Sequence, residues 1–169
     1  AQLLHKRPDV RLVEFRGNVQ TRLKKLESGV AEATFLACAG LLRLGMNKLV
    51  RPISPEIMMP AVAQGVIGVQ QRGDDEEMTS ILSPLNDKET EIQVMVERAF
   101  LKVLDGSCRT PIGAYSKLEG SEIIFKGEIL RVNGSEVISG SWKGSTLNPI
   151  ELGERAGREL KGKIGDAFF

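Results

Sequence analysis

The sequence predicts an α/β segment followed by a small α+β domain. In residues 10–45, runs of strand length alternate with short helical stretches, which is the order of an α/β layer. Residues 86–169 instead carry a long helical pattern, two strand-like runs joined by Asn133-Gly134, and a capped closing helix. The chain of 169 residues is therefore expected to combine two styles of packing.

The first third of the chain is predicted to alternate short helices with strands. A helix that stops before Pro8 opens the chain, because the residue before a proline disfavours helical backbone. One predicted strand alternates apolar and polar residues, and the other is a near-continuous apolar run, as in a buried strand. The predicted helices are 1–7, 21–27 and 40–44, and the predicted strands are 10–15 and 33–37.

The rest of the chain is predicted to contain a linker and then a compact unit. Three prolines between residues 52 and 60 predict the linker. Apolar residues that recur every three or four positions predict the long helix, and Asn148-Pro149 predicts the start of the closing helix. The predicted strands are 66–71, 123–132 and 136–143, and the predicted helices are 74–82, 87–104 and one that begins at 149.

Composition is that of a globular protein and excludes several functions. The chain is 41% hydrophobic and 27% charged, and no apolar run approaches the roughly 20 residues of a membrane span. His5 is the single histidine, so no histidine triad or multi-histidine zinc site can form within this sequence. Phosphate-loop and dinucleotide motifs are missing, and aromatic residues do not interleave with basic ones as in nucleic-acid binding. No signal-peptide pattern is visible at the start of the sequence. Because the sequence starts at Ala1 and not at a Met, we expect a fragment or a processed product.

Charge is divided unevenly along the chain. Residues 1–51 hold ten Lys/Arg and four Asp/Glu, a net +6, whereas residues 52–169 hold thirteen and eighteen, a net −5. A basic N-terminal third could bind an anionic ligand. The alternative, that these are ordinary solvated side chains, stays open.

The two cysteines lie in different settings. Cys38 lies in an apolar run and is predicted to be buried filler. Cys108 lies in a polar turn between Gly106, where the long helix is predicted to end, and Pro111, and this setting presents a thiol to solvent. A bridge between the two is possible by count alone, but two cysteines are too few for a disulfide framework. We therefore expect a reducing cytosol.

A spaced pattern around Cys108 indicates covalent chemistry. Glu97-Arg98 is followed, after seven residues, by Gly-Ser-Cys at 106–108 and then by Pro-Ile-Gly at 111–113. A thiol reacts as thiolate, which nearby positive charge such as Arg109 favours. We interpret Cys108 as a thiol that forms one stable covalent bond; the alternative is a small residue that fills a turn.

A second pattern surrounds Gly17, where a predicted strand ends and a helix begins. The free N–H groups at a helix start attract anions. Arg16 and Arg22 flank the turn, and arginine binds carboxylates through two parallel hydrogen bonds. The alternative is an ordinary strand-to-helix turn with surface arginines.

Two further segments complete the set of motifs. Arg43 lies in the segment Ala-Gly-Leu-Leu-Arg-Leu-Gly and, on this evidence alone, is one exposed arginine on a helix. Gln64 follows Ala63 in the segment Pro-Ala-Val-Ala-Gln-Gly.

These four patterns, in this order and over nearly the whole chain, resemble the porphobilinogen deaminase (hydroxymethylbilane synthase) family. The resemblance implies that Cys108 carries a covalent dipyrromethane cofactor through a thioether. It implies that Arg16, Arg22 and Arg43 bind the acetate and propionate groups of the cofactor and growing chain. Gln64 matches a cofactor-contacting position.

The resemblance also implies a fold. The family has two domains that resemble periplasmic-binding-protein lobes and a small α+β domain that carries the cofactor cysteine. By analogy, 1–59 is the second part of domain two, 60–84 crosses back to domain one, and 86–169 is the α+β domain. The family usually has glycine where this chain has Ala63 and Ser107.

The implied activity is that of a transferase. It condenses four porphobilinogen units head to tail into hydroxymethylbilane and releases ammonia, with porphobilinogen and the growing pyrrole chain as partners. The family's catalytic aspartate would lie upstream of Ala1, so the N-terminal segment of the same protein is a further partner. No metal, nucleic acid or membrane is implied.

Two expectations follow from that missing aspartate. The 169-residue chain alone should be inactive, and residues 1–72 should expose apolar surface. The alternative function is a non-catalytic anion-binding module in which Cys108 is structural.

Overall fold

The computed structural model describes residues 1–105, 110–164 and 168. Within them the chain divides into a larger unit, formed by Ala1–Pro8 with Pro55–Phe169, and a smaller unit, Asp9–Ser54. The helices are α1 Gln2–Lys6, α2 Val19–Glu27, α3 Cys38–Arg43, α4 Glu76–Leu82, α5 Lys88–Leu104 and α6 Pro149–Lys161, with short 3-10 turns at Asn47–Leu49 and Ser83–Leu85. The strands are β1 Ile112–Glu119, β2 Glu122–Leu130 and β3 Val137–Ser145.

The larger unit contains an antiparallel sheet in the order β1-β2-β3, covered by two helices. Ile112 pairs with Ile129 between β1 and β2, and Phe125 pairs with Trp142 between β2 and β3. Helices α5 and α6 pack against each other, α5 against β1 and α6 against β3. The predicted α+β unit is therefore confirmed, although β1 was not predicted because Gly113 and Ser116 interrupt its apolar pattern.

The core of the larger unit is a cluster of aromatic and aliphatic side chains. Phe100 of α5 meets the Phe125 ring edge-on, with 5.2 Å between ring centroids. A side chain at Gly153 of α6 would collide with the carbonyl oxygen of Val96 in α5, so the two helices approach closely. Fully buried members include Val96, Phe100, Ile123, Phe125, Ile129, Ala156 and Leu160.

Local signals account for the ends of the long helix α5. The Asp87 side chain accepts a hydrogen bond of 2.8 Å from the Thr90 N–H and so caps the N-terminus. Asp105 ends the helix in the left-handed conformation, with φ of 54°. At α6, Asn148 occupies the predicted N-cap position and Pro149 the first turn, but the Asn148 side chain makes no capping hydrogen bond.

The smaller unit keeps its predicted helices and loses its predicted strands. Residues 10–15 and 33–37 have no assigned secondary structure, so the prediction of strands there is wrong. A strand requires a neighbour for its backbone N–H and C=O groups, and no other strand exists among residues 9–54. The predicted strand 66–71 of the larger unit is likewise absent.

Apolar side chains are exposed over the N-terminal 72 residues, as expected. Leu41 is the single buried hydrophobic residue of the smaller unit. The exposed ones include Leu12, Val13, Phe35, Leu42, Leu44, Ile57, Ile67 and Val69. The lobes implied by the resemblance, and the domain boundaries drawn from it, remain predictions.

No helix in the described part of the chain is both long and apolar enough to span a bilayer.

Candidate functional site

The predicted attachment residue Cys108 lies outside the described residues, as do Gly106, Ser107 and Arg109. The described chain reaches this segment from α5 through Asp105 and leaves it through Thr110 into β1. Cys108 thus belongs to the connection between the long helix and the first strand of the sheet.

Glu97, near the middle of α5, joins three pieces of the larger unit. Its side chain is buried, and Oε1 accepts hydrogen bonds from the Ser116 N–H at 3.1 Å and the Ser116 hydroxyl at 2.7 Å. Its Oε2 accepts from the backbone N–H of Ala63 at 2.8 Å. A buried carboxylate with these donors holds the segment around Ala63 against α5 and β1.

Gln64 lies at the tip of the turn that Glu97 holds. Its N–H donates to the Ala61 carbonyl at 3.0 Å, and its side chain is exposed. At the start of this turn, Ala61 forms an isolated antiparallel β-bridge with Gly113 of β1. The turn is therefore fixed to the sheet on one side and leaves the Gln64 amide available to a ligand.

Ala63 takes a backbone conformation that favours glycine. Its φ is 54°, and Gly65 follows with φ of 86°. A left-handed conformation strains a residue with a Cβ. Alanine at this position, where the family usually has glycine, therefore carries backbone strain.

Arg16 and Arg22 flank a well-formed turn at the start of α2. Asn18 caps that helix by accepting from the Thr21 N–H at 2.8 Å. Gly17 has φ of 130°, and a side chain there would lie 2.7 Å from the Thr21 methyl. This close approach explains why glycine precedes the cap.

The two arginines differ in how tightly they are held. Arg22 Nε donates to the Gly17 carbonyl at 2.9 Å, and another of its nitrogens donates to the Phe35 carbonyl at 3.4 Å. Arg16 is largely exposed and makes one surface ion pair of 3.4 Å with Glu14. Arg22 is thus oriented by the backbone, whereas Arg16 can exchange a weak surface partner for a ligand.

Arg43 lies in the last turn of α3 and is exposed. The same helix begins with Cys38, a half-buried free thiol rather than fully buried filler. Arg16, Arg22 and Arg43 all belong to the smaller unit, and Gln64 belongs to the larger unit. Their union in one site remains a prediction.

Sequence reasoning gave Glu97 no role. One signal in the sequence could have indicated a structural role. Glu97 is an acidic residue that lies between Val96 and Phe100, on the apolar side of an amphipathic helix. Buried carboxylates occur where hydrogen-bond donors meet them. Its partners, Ala63 and Ser116, lie 34 and 19 residues away, so their identity could not be derived.

Two family models match this chain. Residues 1–80 match "Porphobilinogen deaminase, dipyromethane cofactor binding domain", and residues 91–162 match "Porphobilinogen deaminase, C-terminal domain".

Curated relatives match over the whole chain. The porphobilinogen deaminase of Paracoccus denitrificans is 52% identical over 170 residues, covering 100% of this chain and 54% of the relative. Those of Nitrobacter hamburgensis and a Roseiflexus species are 41% and 44% identical, and cover 54% and 55% of the relatives. The chain therefore spans about half the length of the curated relatives it matches.

Proposed function

Because this chain belongs to the porphobilinogen deaminase family and carries its dipyrromethane cofactor-binding domain, we propose that it is part of a hydroxymethylbilane synthase. The proposed reaction condenses four porphobilinogen units into hydroxymethylbilane and releases ammonia. The observation that carries this proposal is the match of both family models, in order, to residues 1–80 and 91–162.

Cys108 is the proposed attachment residue for the dipyrromethane. Its thiol sulfur is proposed to hold the cofactor through a thioether, and the cofactor supplies the pyrrole end on which the product grows. The sequence places Cys108 within the matched C-terminal domain. A cytosolic location follows in the same proposal, because the thiol must stay reduced before attachment.

Arg16, Arg22 and Arg43 are the proposed binding residues for the acetate and propionate groups of the cofactor and growing chain. A dipyrromethane with several carboxylates fits these donors, since Arg16 and Arg43 are exposed. Arg22 uses two hydrogen bonds on backbone carbonyls, and a guanidinium has five N–H donors, so others remain for a ligand. Gln64 is proposed to donate to or accept from the cofactor side chains.

The complete reaction is proposed to need more than these 169 residues. This chain spans about half of its relatives, and the family's catalytic aspartate has no counterpart among the motifs found here. In the proposal, the arginines position the carboxylates of the pyrrole chain. The group that drives condensation lies in the part of the relatives that these 169 residues do not cover.

Intact-mass measurement tests the proposal. We expect the purified gene product to carry a dipyrromethane mass increment and to give the colour reaction with Ehrlich's reagent. Cys108→Ala should lose both signals, whereas Cys38→Ala, the matched cysteine control, should keep them.

An increment that survives Cys108→Ala would remove the attachment assignment. An unmodified parent that binds anions through its arginines would instead favour the alternative, a non-catalytic anion-binding module. The excess of basic residues in positions 1–51 is the observation that favours this alternative.

A further inference from the structure

A cleft of ≈ 530 Å³ lies beside the C-terminal end of α5. This volume is within the roughly 300–1,000 Å³ of small-molecule sites. Its walls are helix α5 and the turn around Ala63, which Glu97 holds in place. Its lining residues are Val62, Ala63, Arg98, Leu101, Lys102 and Asp105.

Arg98 and Lys102 place two positive charges on this cleft, one helical turn apart. Both side chains are exposed, and neither forms an ion pair with a residue that the structure describes. Like charges four residues apart destabilise a helix. The helix dipole favours Lys102 in the last turn, but its effect fades within that turn and does not reach Arg98.

Asp105 adds one negative charge to the same cleft. An acidic residue at a helix C-terminus opposes the helix dipole, and glycine or asparagine would suit its left-handed conformation better. The helix itself therefore gains little from Arg98 or from Asp105. Two cations and one anion around a cleft instead complement a ligand that carries two negative charges and one positive charge.

Porphobilinogen has that pattern, because it carries two carboxylates and one ammonium group on a single pyrrole ring. Leu101 and Val62 are half-buried and offer apolar contact for the ring. We propose that this cleft binds one free porphobilinogen, with Arg98 and Lys102 on its carboxylates and Asp105 on its ammonium. This inference rests on the proposed function, and it adds a substrate-binding site distinct from Arg16, Arg22 and Arg43.

The cleft lies close to the attachment residue along the chain. Cys108 is three residues beyond Asp105, and three residues span at most about 11 Å. A monopyrrole in this cleft is therefore held near the segment to which the pyrrole chain is attached. Its effect is to raise the local concentration of substrate there.

A residue-resolved NMR titration tests the proposal. Porphobilinogen is added to the full 169-residue chain carrying Cys108→Ala, so that no covalent adduct forms. The amide signals of Ala63 and Leu101 should shift in a saturable way. The double variant R98Q/K102Q should bind at least about tenfold more weakly at these amides, since each charge-assisted contact is strong. Lys143→Gln in β3 outside the cleft is the matched control, and it should leave the affinity unchanged.

The variant Asp105→Asn tests the negative charge apart from the two positive charges. Asparagine also tolerates the left-handed backbone conformation at this position. The variant should weaken porphobilinogen binding and strengthen binding of succinate, which has two carboxylates and no ammonium. Equal effects on both ligands, or unchanged Ala63 and Leu101 signals with porphobilinogen, would overturn the proposal.

The two proposals fail separately. A dipyrromethane increment on Cys108 with no ligand response in the cleft removes the cleft site and leaves the enzymatic function. A cleft response that depends on Arg98 and Lys102, without an increment on Cys108, keeps the site and removes the function.

Discussion

The Glu97 carboxylate accepts a 2.8 Å hydrogen bond from the backbone N–H of Ala63. It joins the motif that begins at Glu97 and includes Cys108 to the motif that contains Gln64. Both motifs were identified separately in the sequence, and the bond shows that their described residues belong to one structural assembly in the larger unit.

Replacing Glu97 should weaken that assembly. Glu97→Ala leaves the Ala63 N–H and both Ser116 donors without their acceptor, and we expect a loss of about 2 kcal/mol in the free energy of unfolding. Urea unfolding followed by fluorescence measures it, because Trp142 is the single tryptophan and lies in the larger unit. Glu122→Ala, which removes a surface ion pair to Lys143, should cost less than about 1 kcal/mol. Equal losses in the two variants would contradict the role assigned to Glu97.

Ala63→Gly should stabilise the protein. Removing the Cβ relieves a left-handed conformation that costs about 1–2 kcal/mol, and the added freedom of the unfolded chain offsets part of this gain. A net gain of up to about 1 kcal/mol is expected in thermal unfolding. Ala61→Gly in the same turn is the control. Ala61 has no positive φ, so its replacement should lose about 0.5–1 kcal/mol. A loss at both positions would show that Ala63 is unstrained.

Gly153→Ala should be strongly destabilising. Its Cβ would collide with the Val96 carbonyl oxygen and lie 2.8 Å from the Ala99 Cβ, so α5 and α6 would have to separate. Overpacking of this kind costs about 1–3 kcal/mol. Gly68→Ala, where nothing lies within 4 Å of the added carbon, should be nearly neutral in the same denaturant measurement. A neutral Gly153→Ala would mean that the two helices are less tightly packed than this geometry requires.

Glu128 should make stability depend on pH. Burial raises the pKa of its carboxyl above the ordinary 4.5, and Lys6 and His5 oppose this only in part. Its Oε1 is buried without a hydrogen bond from the described residues, in a cavity that Glu56 also lines. The folded protein therefore keeps this proton at pH values where the unfolded chain has lost it. Stability contributed by the protonated group is present below about pH 4.5 and is lost as pH rises through the folded pKa.

The matching variant is Glu128→Gln, which mimics the protonated group. We expect it to stabilise the protein relative to the parent at pH 7 and to approach the parent at pH 4. Denaturant unfolding at both pH values measures the difference. Glu136→Gln, at an exposed position just before β3, is the control and should show no such gain at pH 7. A Glu128→Gln variant that is equally or less stable at pH 7 would contradict the direction of the shift.

The smaller unit should open more readily than the larger one. Leu41 is its single buried hydrophobic residue, whereas a continuous core supports α5, α6 and the sheet. Backbone amides in 9–54 should exchange with deuterium much faster than those in 88–104, because local opening costs little where few apolar contacts are lost. Hydrogen-exchange mass spectrometry compares the two peptides directly. Comparable protection would show that the smaller unit has its own core.

Short-range signals were sufficient for most helices and for the hairpin. Asp87 before α5 and Pro149 in the first turn of α6 act through neighbouring backbone groups, so their effect can be read locally. The strand predictions at 10–15 and 33–37 failed for the opposite reason. Their apolar patterns suit a sheet, but a strand forms only where a second strand pairs with it. The strand β1, interrupted by Gly113 and Ser116, forms because β2 lies beside it.

The sequence by itself determined the family, the order of the motifs and the candidate residues Arg16, Arg22, Arg43, Gln64 and Cys108, because these depend on residue type and spacing. Tertiary structure alone decided that Glu97 binds the Ala63 N–H, that Gly153 allows α5 and α6 to touch, and that Arg98, Lys102 and Asp105 share one cleft. Each of these facts depends on contact across tens of residues or on the open space beside a helix. Folding creates such contacts, and local residue patterns do not specify them.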